Sequence, residues 1–181
     1  AHLRGCPQEL SNCVDSAERE YLPRGITETL STLDFIDSGL NVCILGPSDS
    51  GKSYLAKAIG IVACNNYKVE YHHCEPLLEE LVALKAVDYS KYQKRLKKTC
   101  GAALLILDDF LLHTITDERE VKILFEILEK RCEINLSTII CSQREPASWS
   151  SMILNDEVSA NAILKRATKH YTVVIKPRMA D

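Results

Sequence analysis

Gly46-Pro47-Ser48-Asp49-Ser50-Gly51-Lys52-Ser53 fits the pattern G-x-x-x-x-G-K-[ST], and its flanks decide what the match means. Before it runs the apolar stretch Asn41-Val42-Cys43-Ile44-Leu45; after it, Tyr54, Leu55, Ala58, Ile59 and Val62 recur at helical spacing. Strand, glycine-rich turn and helix in that order form a concavity into which successive backbone N–H groups point, with the positive end of the helix behind them. Such a turn holds phosphate. Gly46 and Gly51 permit the close backbone approach, Lys52 offers a mobile cation to β- and γ-phosphates, and the Ser53 hydroxyl suits Mg²⁺. The candidate nucleotide contacts are therefore Gly46, Pro47, Ser48, Asp49, Ser50, Gly51, Lys52, Ser53 and Tyr54. Asp49 stands where many such loops carry glycine. An inward acid would repel a polyphosphate, by about 1 kcal/mol at most when water screens it, so Asp49 is expected to face solvent.

Outward from the loop the chain alternates. Val69, Tyr71 and the neighbouring histidines read as a second strand. Pro76 opens a helix with Leu77, Leu78, Leu81, Val82 and Leu84 on its apolar side, and a basic helix follows with Ser90 as its expected N-cap. Leu104 to Leu107 is an unbroken apolar strand, Asp117 to Cys132 an amphipathic helix, Ser137 to Cys141 another buried strand, Asn155 to His170 a helix, and Thr172 to Ile175 a last strand. Strands apolar on both faces, separated by helices, predict an α/β fold with a parallel sheet between two helical layers.

Leu104-Leu105-Ile106-Leu107-Asp108-Asp109-Phe110 delivers two carboxylates to the C-terminal end of an apolar strand, where open α/β sheets gather ligands. Asp108 is the candidate partner of a nucleotide-bound Mg²⁺, and Asp109 the group that orients or deprotonates an attacking water. The strand ending at Cys141 continues into Ser142-Gln143. Gln143 either senses the γ-phosphate and positions water or is simply a polar strand terminus.

The 181 residues suit one domain of ordinary size, and 46% hydrophobic with 26% charged residues is a globular composition that excludes disorder, collagen and coiled-coil rods. No apolar run approaches the roughly 20 residues of a membrane span, and the first residues have no signal-peptide core, so a cytoplasmic location without membrane partners is expected. Eight cysteines scattered through apolar stretches, without a C-x-x-C pair, read as reduced and mostly buried thiols. His72, His73 and Cys74 lack a second ligand pair at metal-binding spacing. The net charge of −3 conceals a local excess: from Lys85 to Lys98 six basic residues stand against one acid, a segment of +5. Lys91, Lys94, Arg95, Lys97 and Lys98, with Tyr89 and Tyr92 among them, could follow a nucleic-acid backbone and stack bases, or form a solvated helix face.

GPSDSGKS (46–53), LLILDDF (104–110), TIICSQ (138–143), the stretch from Ser90 to Leu96 and NAILKR (161–166) together resemble the AAA+ ATPases of the IstB-like and DnaC-like group, the transposition helper ATPases and bacterial helicase loaders. The resemblance runs from about Tyr21 to Lys176 and leans to the IstB-like branch through CSQ, NAILKR and an ending without a lid domain. It implies a P-loop NTPase core of five parallel strands in the order 5-1-4-3-2, helices on both faces and no C-terminal lid, occupying residues 21–178 after an N-terminal extension or linker at 1–20. It also implies ATP and Mg²⁺ as cofactors, assembly into a homo-oligomeric ring or spiral, and DNA at the basic helix inside it. Arg166 matches the family's arginine finger, which completes a neighbouring subunit's site. Two departures stand out: Leu111 and Leu112 follow Phe110 where the family usually has glycine, and the family's larger N-terminal region is expected to lie outside this chain.

The expected activity is Mg-dependent ATP hydrolysis on DNA in the service of a partner, a transposase or, alternatively, a replicative helicase. Lys52, Asp109, Gln143 and Arg166 are the expected catalytic group, with Ser53 and Asp108 at the metal. A small-molecule kinase uses the same loop, but the stretch between Asp109 and Ser137 lacks an Arg-rich lid. A nucleotide-dependent module without turnover is the remaining alternative.

Overall fold

The structure, a computed structural model, describes residues 3–153 and 157–178. Six strands form one sheet: β1 (Arg19–Leu22), β2 (Val42–Leu45), β3 (Val69–His73), β4 (Leu104–Asp108), β5 (Ser137–Ser142) and β6 (Tyr171–Pro177). They lie in the order β1-β6-β2-β5-β4-β3. β2 to β6 are mutually parallel and, numbered from β2, follow the order 5-1-4-3-2. The expected count of five is corrected to six, because β1 pairs antiparallel with β6, Arg19 opposite Pro177. Its four residues alternate too briefly to register as a strand without their partner.

The helices are α1 (Ile26–Ser31), α2 (Asp34–Asp37), α3 (Lys52–Ala63), α4 (Cys74–Val87), α5 (Tyr89–Gly101), α6 (Glu118–Glu133) and α7 (Glu157–Ala167). Strand alternation sends side chains to two cores. Val42, Ile44, Ile106 and Val173 meet α1, α2 and α3, while Cys43, Leu105, Leu107 and Ile140 meet α4 to α7. Leu3 is buried on the first of these sides, with a methyl against Gly60 of α3. None of the eight cysteines forms a disulfide, and six of them are buried. No helix among the described residues is long and apolar enough to cross a membrane.

Three local expectations change. The N-cap of the basic helix is Asp88, whose Oδ1 accepts from Lys91 N–H at 3.1 Å, and Ser90 lies within the first turn. Asp caps as well as Ser, and the extended backbone of Asp88 gives α4 and α5 a shared boundary. The helix with the leucines begins at Cys74, so Pro76 sits inside its first turn, where a missing N–H costs nothing. The helix expected over 155–170 is described from Glu157 and ends at Ala167; residues 155 and 156 lie outside the described residues.

Arg131, near the end of α6, is only 1% exposed and forms no ion pair with a carboxylate among the described residues. Its Nε donates to Thr138 Oγ1 at 2.9 Å, Nη1 to the carbonyls of Thr99, Cys100 and Ala102, and Nη2 to Ser137 O at 2.6 Å. One guanidinium thus terminates α5 and ties it to β5.

Candidate functional site

Because the five parallel strands run the same way, their C-terminal ends share one edge of the sheet, and the loop after β2, the acids after β4 and Gln143 after β5 meet there. Residues 48–54, Asp109 and Gln143, with Phe110 and Leu112, line a cavity of about 430 Å³, whereas Gly46, Pro47 and Asp108 are not among its lining residues. Gly46 is required by space: a Cβ there would lie 2.6 Å from Ser50 Oγ and 2.8 Å from Ile175 O. Gly51 has φ +102°, and the Arg19 guanidinium from β1 packs against it, a neighbour not legible in the sequence. Asp49 is exposed, as expected, and adopts φ +61°, which accounts for the preference for glycine at that place.

Lys52 Nζ donates to Pro47 O at 2.6 Å, which lays the side chain across the loop and leaves two of its three donors for a ligand. Burial lowers its pKa below the ordinary lysine value, while the carboxylates of Asp108, Asp109 and Asp49 pull it back up. Ser50 Oγ is buried and has no hydrogen-bond partner among the described residues, so the loop keeps a polar atom that a phosphate oxygen would satisfy. The cradle, this orphaned hydroxyl and the paired acids fit a nucleotide phosphate with its metal.

Asp108 is 1% exposed. Tyr71 of β3 donates its phenolic O–H to Oδ2, and Oδ1 accepts from Asp109 N–H at 2.9 Å. Burial, then the hydrogen bond to Asp108, push the Tyr71 phenol far above its ordinary pKa, so it stays a neutral donor. Asp109, by contrast, is 46% exposed and accepts at Oδ2 from His73 Nδ1 at 2.7 Å. His73 ends β3 and is the residue before α4. Tyr71 and His73 therefore hold the two acids from the neighbouring strand, roles that sequence reading missed. The only available signal was the alternation of Tyr71 and His73 on one strand, which places both at the sheet edge where the acids end.

The turn leaving the acids is clamped: Phe110 N–H donates to Cys141 O at 2.8 Å and Ser142 Oγ to Phe110 O at 2.8 Å. Asp109 and Leu111 both have positive φ, +51° and +54°. The glycine usual after this triplet suits that conformation, and Leu111 adopts it with its side chain buried beside Phe110 and Trp149 in the α4–α7 core.

Arg166 does not join this site. It lines a separate cavity with Asn41, Cys132 and His170, and its carbonyl accepts from Asn41 Nδ2 at 3.4 Å. Asn41 precedes β2 whereas the loop follows it, so Arg166 lies at the opposite end of the sheet. The basic residues of α5 are split. Lys91, Lys94, Lys97 and Lys98 are exposed, and Arg95 pairs with Glu80 at 3.4 Å. Tyr92 is 3% exposed beneath Lys85, so its expected availability for base stacking is corrected; Tyr89 remains exposed. Leu96, one turn on, shares its core, and the pair forms the buried stripe of an amphipathic helix. No cluster of metal-ligating side chains exists among the described residues around His72, His73 and Cys74.

The family model described as IstB-like ATP binding protein matches residues 9–177. An insertion-sequence ATP-binding protein of Sinorhizobium fredii, y4uH, is 37% identical over 166 residues, covering 91% of this chain and 63% of its own length. One of insertion sequence IS232 in Bacillus thuringiensis is 34% identical over 166 residues, covering 89% of this chain and 64% of its own. This chain thus spans less than two thirds of either relative. Among solved structures, DnaI superposes with a TM-score of 0.75 at 20% identity over 96% of this chain and 92% of that one, a likeness of fold. With the phosphate loop, the paired acids and the sheet order in agreement, the chain belongs to the IstB-like ATP-binding family and has the P-loop AAA+ fold.

Proposed function

We propose that this chain binds and hydrolyses ATP in the cytoplasm, assembles on DNA as a ring or spiral, and uses its nucleotide state to control a partner, a transposase. The observation that carries the reading is the cavity lined in common by residues 48–54 of the loop, Asp109 and Gln143. The insertion-sequence names of its relatives support the transposase as partner. The loop amides and Lys52 hold the phosphates, and Gln143 aligns the water. His73 engages Asp109 Oδ2, which leaves Oδ1 to take the proton of the attacking water. Ser53 and Asp108 would hold Mg²⁺, whose charge neutralises the phosphate oxygens. Arg166, remote from its own loop, acts on the site of a neighbouring subunit and makes hydrolysis contingent on assembly.

Phosphate release measured over a protein concentration series, with and without DNA, tests this. Activity should rise with concentration and with DNA, and Arg166→Ala should lower it roughly tenfold or more without weakening nucleotide binding. Activity independent of both concentration and Arg166 would remove the shared site.

Asp49→Gly should leave ATP affinity equal or up to about fivefold tighter, the effect of removing at most about 1 kcal/mol of screened repulsion, and should relieve the positive φ. Equilibrium nucleotide binding reads this; a large loss of affinity would show that the carboxylate serves the loop.

A further inference from the structure

β3 pairs with β4 on one side only and is the last strand of the sheet, so its other edge is open among the described residues. Along that edge runs a groove of about 720 Å³. Its walls come from three parts of the chain that lie far apart in sequence. Arg4 belongs to the N-terminal segment anchored by Leu3 in the α3-side core, Lys68 precedes β3, and Arg95, Lys97 and Lys98 belong to α5 on the other side of the sheet. Five cations thus converge on a groove whose one acid is Glu70.

Glu70 is already satisfied: its Oε1 takes bonds from His72 at 2.7 Å and Thr99 at 3.1 Å, and Lys98 stands 4.0 Å from Oε2. Arg95 is partly neutralised by Glu80. Arg4, Lys68 and Lys97 are exposed; Arg4 makes one long bond, Nη2 to Cys64 O at 3.5 Å. Lysines on a sheet edge discourage strand pairing, but that purpose needs them on the edge strand, and here all five cations lie off it. The same helix carries the positive row beyond the groove to Lys94 and Lys91. Lys91 to Lys98 spans about 10 Å along the helix, on the order of three phosphate intervals of a nucleic-acid strand. A groove with cations on both walls, continued by a helix with more, suits an extended polyanion of regular charge spacing better than a short acidic peptide.

We propose that the groove between the open edge of β3 and α5 carries a nucleic-acid phosphodiester backbone, with Arg4 and Lys68 on one wall and Lys97 and Lys98 on the other. This rests on the DNA binding proposed above and adds Arg4 and Lys68, which lie outside the basic helix, to the residues that perform it.

The test is equilibrium binding of a labelled oligonucleotide, single-stranded and duplex, across a salt titration. The variants are Arg4→Ala with Lys68→Ala, Lys68→Glu alone, and Lys91→Glu with Lys94→Glu, all in the full chain with thermal melting as a check of folding. The double alanine variant should lose on the order of tenfold in affinity at 0.1 M salt. Its log–log salt slope should become shallower by about 1.4 on a single strand or about 1.8 on duplex, and the form that shows the loss is the form the groove carries. Lys68→Glu, which leaves the Arg4 contact intact, should weaken binding in the same direction. If only the Lys91 and Lys94 variant weakens binding, the DNA reading stands and the groove falls. If no variant weakens it, the DNA reading falls with it. If Lys68→Glu abolishes binding of a polyglutamate peptide and leaves DNA binding unchanged, the groove takes an acidic protein segment and the proposal is overturned.

Discussion

Replacing Asp109 by Asn should lower ATP hydrolysis by about 10²- to 10⁴-fold while nucleotide binding persists. Several features make this substitution selective. Asn has the shape of Asp, it tolerates the left-handed backbone found at φ +51°, and its carbonyl can still accept from His73. What it cannot do is take a proton. Asp109 is half exposed, so a neutral side chain there removes no buried ion pair and should leave the fold intact. Single-turnover phosphate release at saturating ATP, beside equilibrium binding of the same nucleotide, separates the two effects. Undiminished hydrolysis would mean that the water gives its proton to another group, and lost binding would mean that Asp109 holds the nucleotide.

The second large effect concerns stability. Arg131→Met should destabilise the fold by about 3–5 kcal/mol, read as a shift of the urea midpoint. A domain of this kind has about 5–15 kcal/mol in total, so the loss approaches unfolding. Burial, partly offset by the Glu70 carboxylate, pushes the Arg131 pKa down to about 10, so it remains protonated at neutral pH. Its charge is spread over four carbonyls and one hydroxyl in place of a carboxylate. Methionine fills similar space but leaves the carbonyls of Thr99, Cys100, Ala102 and Ser137 without their donor. Arg131→Lys should fall between the two, since an ammonium cannot match the planar fork. A midpoint unchanged by Arg131→Met would show that water or neighbouring groups replace these bonds without cost.

The core of the fold was legible because unbroken apolar strands such as Leu104–Leu107 occur only where both faces are covered, and because a phosphate loop forces strand, turn and helix in that order. The loop residues, Asp109 and Gln143 were legible for the same reason, since parallel strands deliver their ends to one edge. What escaped depends on partners distant in sequence. Arg19–Leu22 is a strand by virtue of β6, some 150 residues away. Tyr71 and His73 acquire their roles only from the register of β3 on β4, which sets His73 opposite Asp108. Arg131 is one of two adjacent cations at the end of α6, and nothing local distinguishes it from the exposed Lys130. Tyr92 looked like an aromatic among lysines because helical periodicity shows which residues share a face but not which face is covered.

Leu111 explains how this chain departs from the family's glycine without being weakened by it. A left-handed leucine costs roughly 1–2 kcal/mol in backbone energy, and sheltering its side chain from water returns roughly 1.5–3 kcal/mol. The second term is of the same size as the first or larger, so burial offsets the backbone cost. Glycine would leave the turn below Asp109 more backbone freedom, whereas the buried leucine restricts it. The carboxylate is thereby aimed before any ligand arrives.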